Sequence, residues 1–419
     1  MRIAIISLGS RGDVQPYIAL GKGLQKAGHN VRMATHENFE SLVSSHGLEF
    51  FPMTGNVQEF METPKMRELT EKGDFLAINA EATKATKRAA IDWAKDSLIA
   101  CQDVDLLITG VGGLFLSLAL AEKFHLPLLQ AYIFPFTPTK AFPAILFPKS
   151  LAKLGSYVNW LSHVLFRQIM WQGTRQGDEL ARKQVLELPA APFLGTYNSP
   201  HLQRFPVLYG FSPSIINPPS DWQNTHVTGY WLLDEDPNWT PSKDLMDFLL
   251  EGAPPVFVGF GSMGNRNPEA TADLVLNAIA IAGQRAILQS GWGGLSKRDL
   301  PDTVFIVDSI PHAFIFPYVA AVVHHGGAGT TSAALRAGVP SIVIPFFGDQ
   351  PFWGNRIAEL GGGTKPIPRK KLTAENLAEA IQMAVTDRSM CETAANLGEK
   401  IRAENGIAKA VAIVNQIEY

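Results

Sequence analysis

Two adjacent histidines, His324 and His325, stand immediately before the run Gly326, Gly327, Ala328, Gly329, which leads into Thr330 and Thr331. Residue types in this order suit the holding of an anion. Glycines let backbone approach a ligand closely, and the first amides of a helix have no intrahelical partner, so a helix start of this kind takes phosphate. Thr330 and Thr331 can either cap the helix or donate hydroxyls to the same anion, and His325 adds a proton donor where negative charge gathers. The alternative is ordinary capping chemistry with a satisfied histidine at a strand end, and the turn alone leaves both readings open.

The flanking residues define what positions this turn. Residues 319–323 form a short apolar run of strand type, Ala333, Ala334 and Leu335 favour helix, Gly338 and Pro340 stop it, and 341–344 read as another strand. The same alternation runs through both halves of the chain. In the first half it comprises "IAIISL" at 3–8, a helix from Val14 to about Ala27, "VRMAT" at 31–35, a helix to His46, "LEFF", "DLLIT" at 105–109 and "PLLQAY" at 127–132. A Pro- and Asp-rich stretch at 229–242 interrupts it, and a second series follows with a strand at 256–260, a helix over 268–282 and strands "RAILQ", "TVFIV", "AAVV" and "SIVI". This predicts an α/β protein of two doubly wound parallel sheets, with ligands at the carboxyl ends of the strands in a cleft where the two domains face each other. The turns "GSRGD" and "GFGSMG" that open the two series depart from the G-x-G-x-x-G fingerprint, which disfavours a nicotinamide dehydrogenase.

Composition narrows the class. With 419 residues, 46% of them hydrophobic, there is enough for full cores, and a net charge of −3 argues against a global nucleic-acid-binding field. Only Cys101 and Cys391 occur, which fits a reducing compartment, so a cytoplasmic location is expected. The run at 3–8 ends in "GSRGD" and reads as a buried strand rather than a signal peptide, and the apolar run at 111–121 is well below the roughly 20 residues of a bilayer span.

Two long stretches, "GSRGDVQPYIALGKGLQKAGHNV" and "HHGGAGTTSAALRAGVPSIVIPFFGDQPFWGNR", resemble the family 1 glycosyltransferases. "GWGGL" at 291–295 and "PFFGDQPFWG" at 345–354 more narrowly resemble the sterol 3β-glucosyltransferases. The resemblance covers nearly the whole chain. It implies a GT-B fold with an acceptor-binding N-terminal domain over 1–228, a linker over 229–242 and a nucleotide-sugar-binding domain over 243–399, with the helix at about 400–419 packing back on the first domain. It implies UDP-glucose as donor substrate, with His325 and the amides of Gly327, Ala328, Gly329, Thr330 and Thr331 at the diphosphate. Further implied donor ligands are Ser262 and Met263, Ile310 to His312 for the base, Asp349 and Gln350 for the sugar hydroxyls, and Ser10, Arg11 and Gly12 from the first domain. An amide such as Gln350 can both donate to and accept from a hydroxyl. Where many plant members carry a ribose-binding glutamate, this chain has Ala333.

Asp13 is the candidate general base, since "RGDV" resembles the sterol-type and several bacterial enzymes where plant relatives have histidine. A carboxylate is a weak base toward an alcohol, so it acts as the attacking hydroxyl acidifies in the transition state, and an apolar cleft strengthens it. Asp13 also stands where a helix N-cap belongs, and the two roles can coexist through different oxygens. No metal or other cofactor is expected; "DVD" at 103–105 and "DED" at 234–236 read as solvated turn acids.

Between Glu122 and Asp178 there is no acidic residue, while Lys123, Lys140, Lys149, Lys153, Arg167 and Arg175 occur among many aromatics. Leu151, Leu154, Val158, Leu161, Leu165 and Ile169 fall on one helical face, either as core or as part of an apolar acceptor site whose basic rim rests on an anionic membrane. The expected partners are therefore a nucleotide sugar, a hydrophobic alcohol and, peripherally, a membrane surface through 123–177, with no nucleic acid. The expected activity is inverting glucosyl transfer to a sterol or similar acceptor. The alternatives are a bacterial natural product, flavonoid or glycolipid acceptor, a TDP-sugar donor, a nucleotide-sugar epimerase, or a non-catalytic binding protein.

Overall fold

The computed structural model describes residues 1–197, 199–233, 239–260, 268–289 and 300–417. The chain divides into two compact units, one of Met1–Phe60, Leu76–Leu233 and Asn405–Tyr419, the other of Met61–Phe75 and Asp234–Glu404.

The first unit is built on strands β1 (Arg2–Ile6), β2 (Asn30–His36), β3 (Glu49–Met53), β4 (Leu106–Thr109), β5 (Leu128–Tyr132), β6 (Val207–Tyr209) and β7 (Thr225–Val227). They pair in parallel in the order β3-β2-β1-β4-β5-β6-β7. Ile3 to Ile6 and Leu106 to Thr109 are all buried, as expected of strands covered on both faces. The order reverses direction between β1 and β4, so the connections leave this point on opposite faces and a crevice opens over the strand ends.

The second unit carries β8 (Val256–Gly259), β9 (Ala286–Gln289), β10 (Val304–Val307), β11 (Ala321–His324) and β12 (Ser341–Val343), parallel in the order β10-β9-β8-β11-β12. Side chains alternate between two cores: Val256, Val258, Leu288 and Val323 join the helices Pro268–Ala282 and Ala374–Thr386, while Phe257, Ile287 and Val322 pack with Leu245, Phe316 and Ala334. Here the switch point lies between β8 and β11.

Three local departures from the sequence reading have physical causes. The first helix spans Arg11–Lys26, starting three residues before Val14 with Ser10 as its cap, because the Asp13 side chain closes onto the Ser10 backbone. Thr330 and Thr331 lie inside the helix Ala328–Ala337, whose N-cap is Gly327, so neither caps it. The segment Met61–Phe75 belongs to the second unit, although 1–228 reads as one domain in sequence. Its helix Pro64–Lys72 ends at Gly73 (φ 57°), where a Cβ would lie 2.9 Å from the Phe346 carbonyl oxygen, a contact to which hydrophobic periodicity is blind.

The helix Gly406–Val414 packs against Arg11–Lys26 and supplies Ala410 and Val414 to the first unit's core. Glycine permits the approach at both faces: a Cβ on Gly23 would lie 2.2 Å from Ile407 Cγ2, and one on Gly406 would lie 2.5 Å from the Gly229 backbone. Of the 229–242 stretch, 234–238 lie outside the described residues.

Candidate functional site

Each of the two sequence-marked turns sits at the switch point of its own sheet. In the first unit, β1 runs into Ser7, Leu8, Gly9 and the helix start. The Ser10 backbone amide and hydroxyl both donate to Asp13 Oδ2, each at 2.9 Å. Asp13 is therefore the third residue of the helix closing back on its cap, a capping role from a different position than the N-cap itself. Gly9 (φ 149°) makes this fold-back available, since a Cβ there would lie 2.5 Å from Asp13 Oδ2.

The loop after β4 closes the other wall. A Cβ on Gly112 would lie 1.8 Å from the Leu8 carbonyl oxygen, and one on Gly110 would lie 2.4 Å from the Tyr17 hydroxyl, so bare backbone is required at both places. Asp13 lines the resulting recess with Ser7, Leu8, Tyr17, Tyr132 and Phe134. Burial pushes the Asp13 carboxyl up, against the opposing pull of its two Ser10 hydrogen bonds. Tyr17 donates to the Ala131 carbonyl at 2.6 Å, and burial, then the charge of Asp13, push its phenol up. A carboxylate of raised basicity in a sheltered recess can take a proton from a hydroxyl. Tyr17 and the glycines at 9, 110 and 112 escape sequence reasoning because the strand order that assembles them is invisible in it.

Ser10 spends its hydroxyl proton on Asp13, Arg11 donates from Nε to Gln15 Oε1 at 3.1 Å, and Arg11 and Gly12 are exposed.

In the second unit, His324 ends β11 fully buried. Its Nδ1 accepts the Gly326 amide proton at 3.1 Å, which places the imidazole proton on Nε2, and burial pushes its pKa well down. One amide of the turn is thus satisfied within the protein. His325 is half-buried and pushed down to about 4 by burial, so it is neutral near pH 7, and among the described residues its Nδ1 has no hydrogen-bond partner. Its Nε2 lies against the backbone of Gly327, where a Cβ would be only 2.4 Å away. The first bond of the helix runs from Thr331 N to the Gly327 carbonyl at 3.0 Å, so the amides of Ala328, Gly329 and Thr330 precede the helical ladder. Thr331 is buried with its hydroxyl lacking a partner among the described residues. This concentration of amide and imidazole donors can receive an anion without a formal positive charge.

β12 leads into the loop before the helix Gln350–Leu360, beside the same turn: a Cβ on Gly326 would lie 3.1 Å from the Gln350 carbonyl. Asp349 Oδ2 accepts from Trp353 Nε1 at 2.8 Å. Gln350 is buried, and its Oε1 accepts from the Phe346 and Phe347 amides at 2.8 and 3.2 Å. That oxygen thus orders the loop before the helix. Ile310 places its side chain in the core with Phe316, and His312 stacks on Phe316 with ring centroids 4.6 Å apart. Ser262, Met263 and the "GWGGL" stretch lie outside the described residues.

Asp103 and Asp105 pair with Arg32 and Arg2, which hold both carboxyls low. The second acidic pattern, 234–236, is outside the described residues. Among the described residues no group of three His, Cys, Asp or Glu side chains could hold a metal ion, and no helix is long and apolar enough to cross a membrane.

The helix Ser156–Ala181 buries Asn159, Ser162, His163, Phe166 and Trp171, and turns Leu161 and Leu165 outward. The basic rim expected around it is smaller than its composition suggests. Arg167 donates to the Phe136 carbonyl at 3.0 Å, Arg175 lies over the Phe193 ring, and Lys123 donates to the Leu186 carbonyl at 2.8 Å.

Two family descriptions match the chain: the glycosyltransferase family 28 N-terminal domain over residues 3–143 and the erythromycin biosynthesis protein CIII-like C-terminal domain over 287–417. Sterol 3-beta-glucosyltransferases align along 100% of the chain, at 36% identity in Cryptococcus neoformans var. neoformans serotype D and 37% in Aspergillus oryzae. The chain spans only 27% and 30% of the length of those two relatives. Among solved structures, the calicheamicin glycosyltransferase CalG4 superposes with a TM-score of 0.66 at 18% identity, covering 100% of both chains. The spinosyn rhamnosyltransferase SpnG complexed with thymidine diphosphate superposes with a TM-score of 0.66 at 19% identity, over 99% of this chain and 100% of that one. With two parallel α/β units that superpose along their whole length on solved glycosyltransferases, and similarity over 3–143 to the glycosyltransferase family 28 N-terminal domain, the chain has the GT-B glycosyltransferase fold.

Proposed function

We propose that this chain transfers glucose from UDP-glucose to the hydroxyl of a sterol or similar hydrophobic alcohol, with inversion at the anomeric carbon and without a metal ion. The observation that carries the reading is the Asp13 carboxylate sheltered in its recess, with burial raising its basicity and Ser10 holding Oδ2. Alignment of the whole chain with proteins named sterol 3-beta-glucosyltransferase supports the choice of sugar and acceptor.

In the reaction, Asp13 accepts the proton of the acceptor hydroxyl as that oxygen bonds to the anomeric carbon. The bond from this carbon to the diphosphate oxygen breaks on the opposite side, and the diphosphate departs with the electron pair. His325 and the amides of Ala328, Gly329 and Thr330 meet its growing charge. Asp349 and the amino group of Gln350 orient the sugar, and Ser262 and Met263, the backbone of Ile310 and the neighbouring His312 complete the donor side. Ser10 acts by fixing Asp13, and Arg11 and Gly12 form the edge of that turn. The acceptor is drawn from a lipid phase, so the protein works peripherally at the cytoplasmic membrane surface. The domains assigned to acceptor and donor follow the two units.

A mass-spectrometric transfer assay tests this reading, with UDP-glucose and TDP-glucose offered against sterols, hopanoids, flavonoids and macrolides, with and without EDTA. Sterol glucoside formed from UDP-glucose despite the chelator is the expected result. Product on polar aromatics alone refutes the lipid acceptor, dependence on added divalent metal refutes the donor chemistry, and no transfer to any acceptor refutes the enzyme reading.

A further inference from the structure

Over 157–165 the helix Ser156–Ala181 is amphipathic with its faces reversed. There its inward side is polar and bonded to a loop: Asn159 Nδ2 donates to the Lys140 carbonyl at 3.1 Å, Ser162 Oγ accepts the Ala144 amide at 2.9 Å, and His163 Nε2 donates to the Phe142 carbonyl at 3.0 Å. These bonds pin the Pro-broken loop 139–147 to the helix and fix its rotation. The outward side is apolar: Leu154 (68% exposed) leads into Tyr157 (67%) and Leu161 (50%) at spacings of three and four residues, and Leu161 is followed three and four residues on by Val164 (37%) and Leu165 (48%).

We infer that this stripe is a membrane-docking face, laid flat in the interface of an anionic bilayer. The inference rests on the reading of the acceptor as a lipid. Charge selects the occupant: Lys149 and Lys153 are exposed at the head of the stripe, and no acidic residue occurs between Glu122 and Asp178. The nearby Asp221 carboxylate is held by the Thr139 hydroxyl at 2.7 Å and the Lys140 amide at 2.7 Å. Tyr157 pairs with Trp160, ring centroids 5.6 Å apart, and such rings favour the headgroup level. Leu165 also begins a shallow, mostly apolar recess between this helix and Phe75–Ala100, lined by Ile169, Asn79, Thr83, Gln168 and Gln172, which suits a lipid alcohol leaving the bilayer.

The test is co-sedimentation of the full chain with vesicles of phosphatidylcholine alone or mixed with phosphatidylglycerol, at low and high salt. Binding to the mixed vesicles is expected, weakening as salt rises. Leu161→Glu combined with Leu165→Glu is expected to lower the partition coefficient about a hundredfold. Lys149→Glu combined with Lys153→Glu is expected to lower it about tenfold. Leu250→Glu and Ile281→Glu, exposed apolar positions in the second unit, leave it unchanged. The inference is overturned if the chain ignores mixed vesicles, if the leucine pair makes no difference, or if that pair instead converts a dimer to a monomer in sedimentation equilibrium, which would give the stripe to a second copy. Transfer to a detergent-dispersed sterol, run in parallel, separates the two readings: lost vesicle binding with intact transfer sinks only the docking face, and the converse sinks only the catalytic reading.

Discussion

The most demanding test of the donor turn is Gly327→Ala. A Cβ at Gly327 would stand 2.4 Å from His325 Nε2. Nonbonded heavy atoms settle at about 3.5 Å, so the imidazole must retreat by roughly 1 Å. Nothing in the backbone resists the change, since φ −63° and ψ 147° are open to alanine. Stability should therefore move by less than about 1 kcal/mol. Displacing one preorganised donor from a leaving diphosphate costs about 2.7–4 kcal/mol, or roughly 10²- to 10³-fold in turnover. The assay is kcat for UDP-glucose-dependent transfer in Gly327→Ala, His325→Ala and the double variant, alongside thermal unfolding. Because both substitutions act on one imidazole, the double variant should fall within about threefold of His325→Ala alone. Wild-type turnover in Gly327→Ala, or losses that multiply in the double variant, would refute the argument.

Asp13→Asn should bind UDP-glucose normally by calorimetry yet lose about 10²- to 10⁴-fold in transfer; unimpaired transfer would remove Asp13 as the base. Gly23→Ala pushes a Cβ to 2.2 Å from Ile407 Cγ2 and should destabilise the chain by about 1–3 kcal/mol in urea unfolding, with Ile407→Ala relieving part of the loss. If the two effects simply add, the contact is not the cause. Burial lowers His163 from 6.5 to about 4, so the unfolded chain takes up its proton first as pH falls. The associated stability is complete above about pH 6.5 and lost on the way to pH 4, up to about 3 kcal/mol. His163→Asn should flatten the slope of stability against pH in that window, and an unchanged slope would exclude the linkage.

Much of this protein is legible from residue order because the responsible forces are local. Short continuous apolar runs such as 3–6 and 321–323 announce buried strands, and the helix over 268–282 follows from its periodicity. The glycine run after His325 can be recognised as a helix start because missing side chains and unpaired amides are properties of adjacent residues. Strand order is not local. The order placing β1 beside β4 and β8 beside β11 is what puts the Asp13 turn and the His325 turn at switch points, through contacts more than a hundred residues apart in the first unit.

The same limit explains the other differences. A helical stripe of leucines has a direction on the helix but no direction in space; polar bonds from Asn159, Ser162 and His163 to a distant loop decided that it faces outward. Gln350 carries an amide able to donate and accept, and the fold consumed its oxygen on the Phe346 and Phe347 amides. Met61–Phe75 is helical by its own residues, but which unit it joins was settled by Gly73 meeting the Phe346 carbonyl. By itself the sequence determined what each segment could form and which chemistry each turn could offer. Tertiary structure alone decided which turns open at a sheet's crevice, which faces meet water and which polar atoms stay available, because those depend on partners brought from elsewhere in the chain.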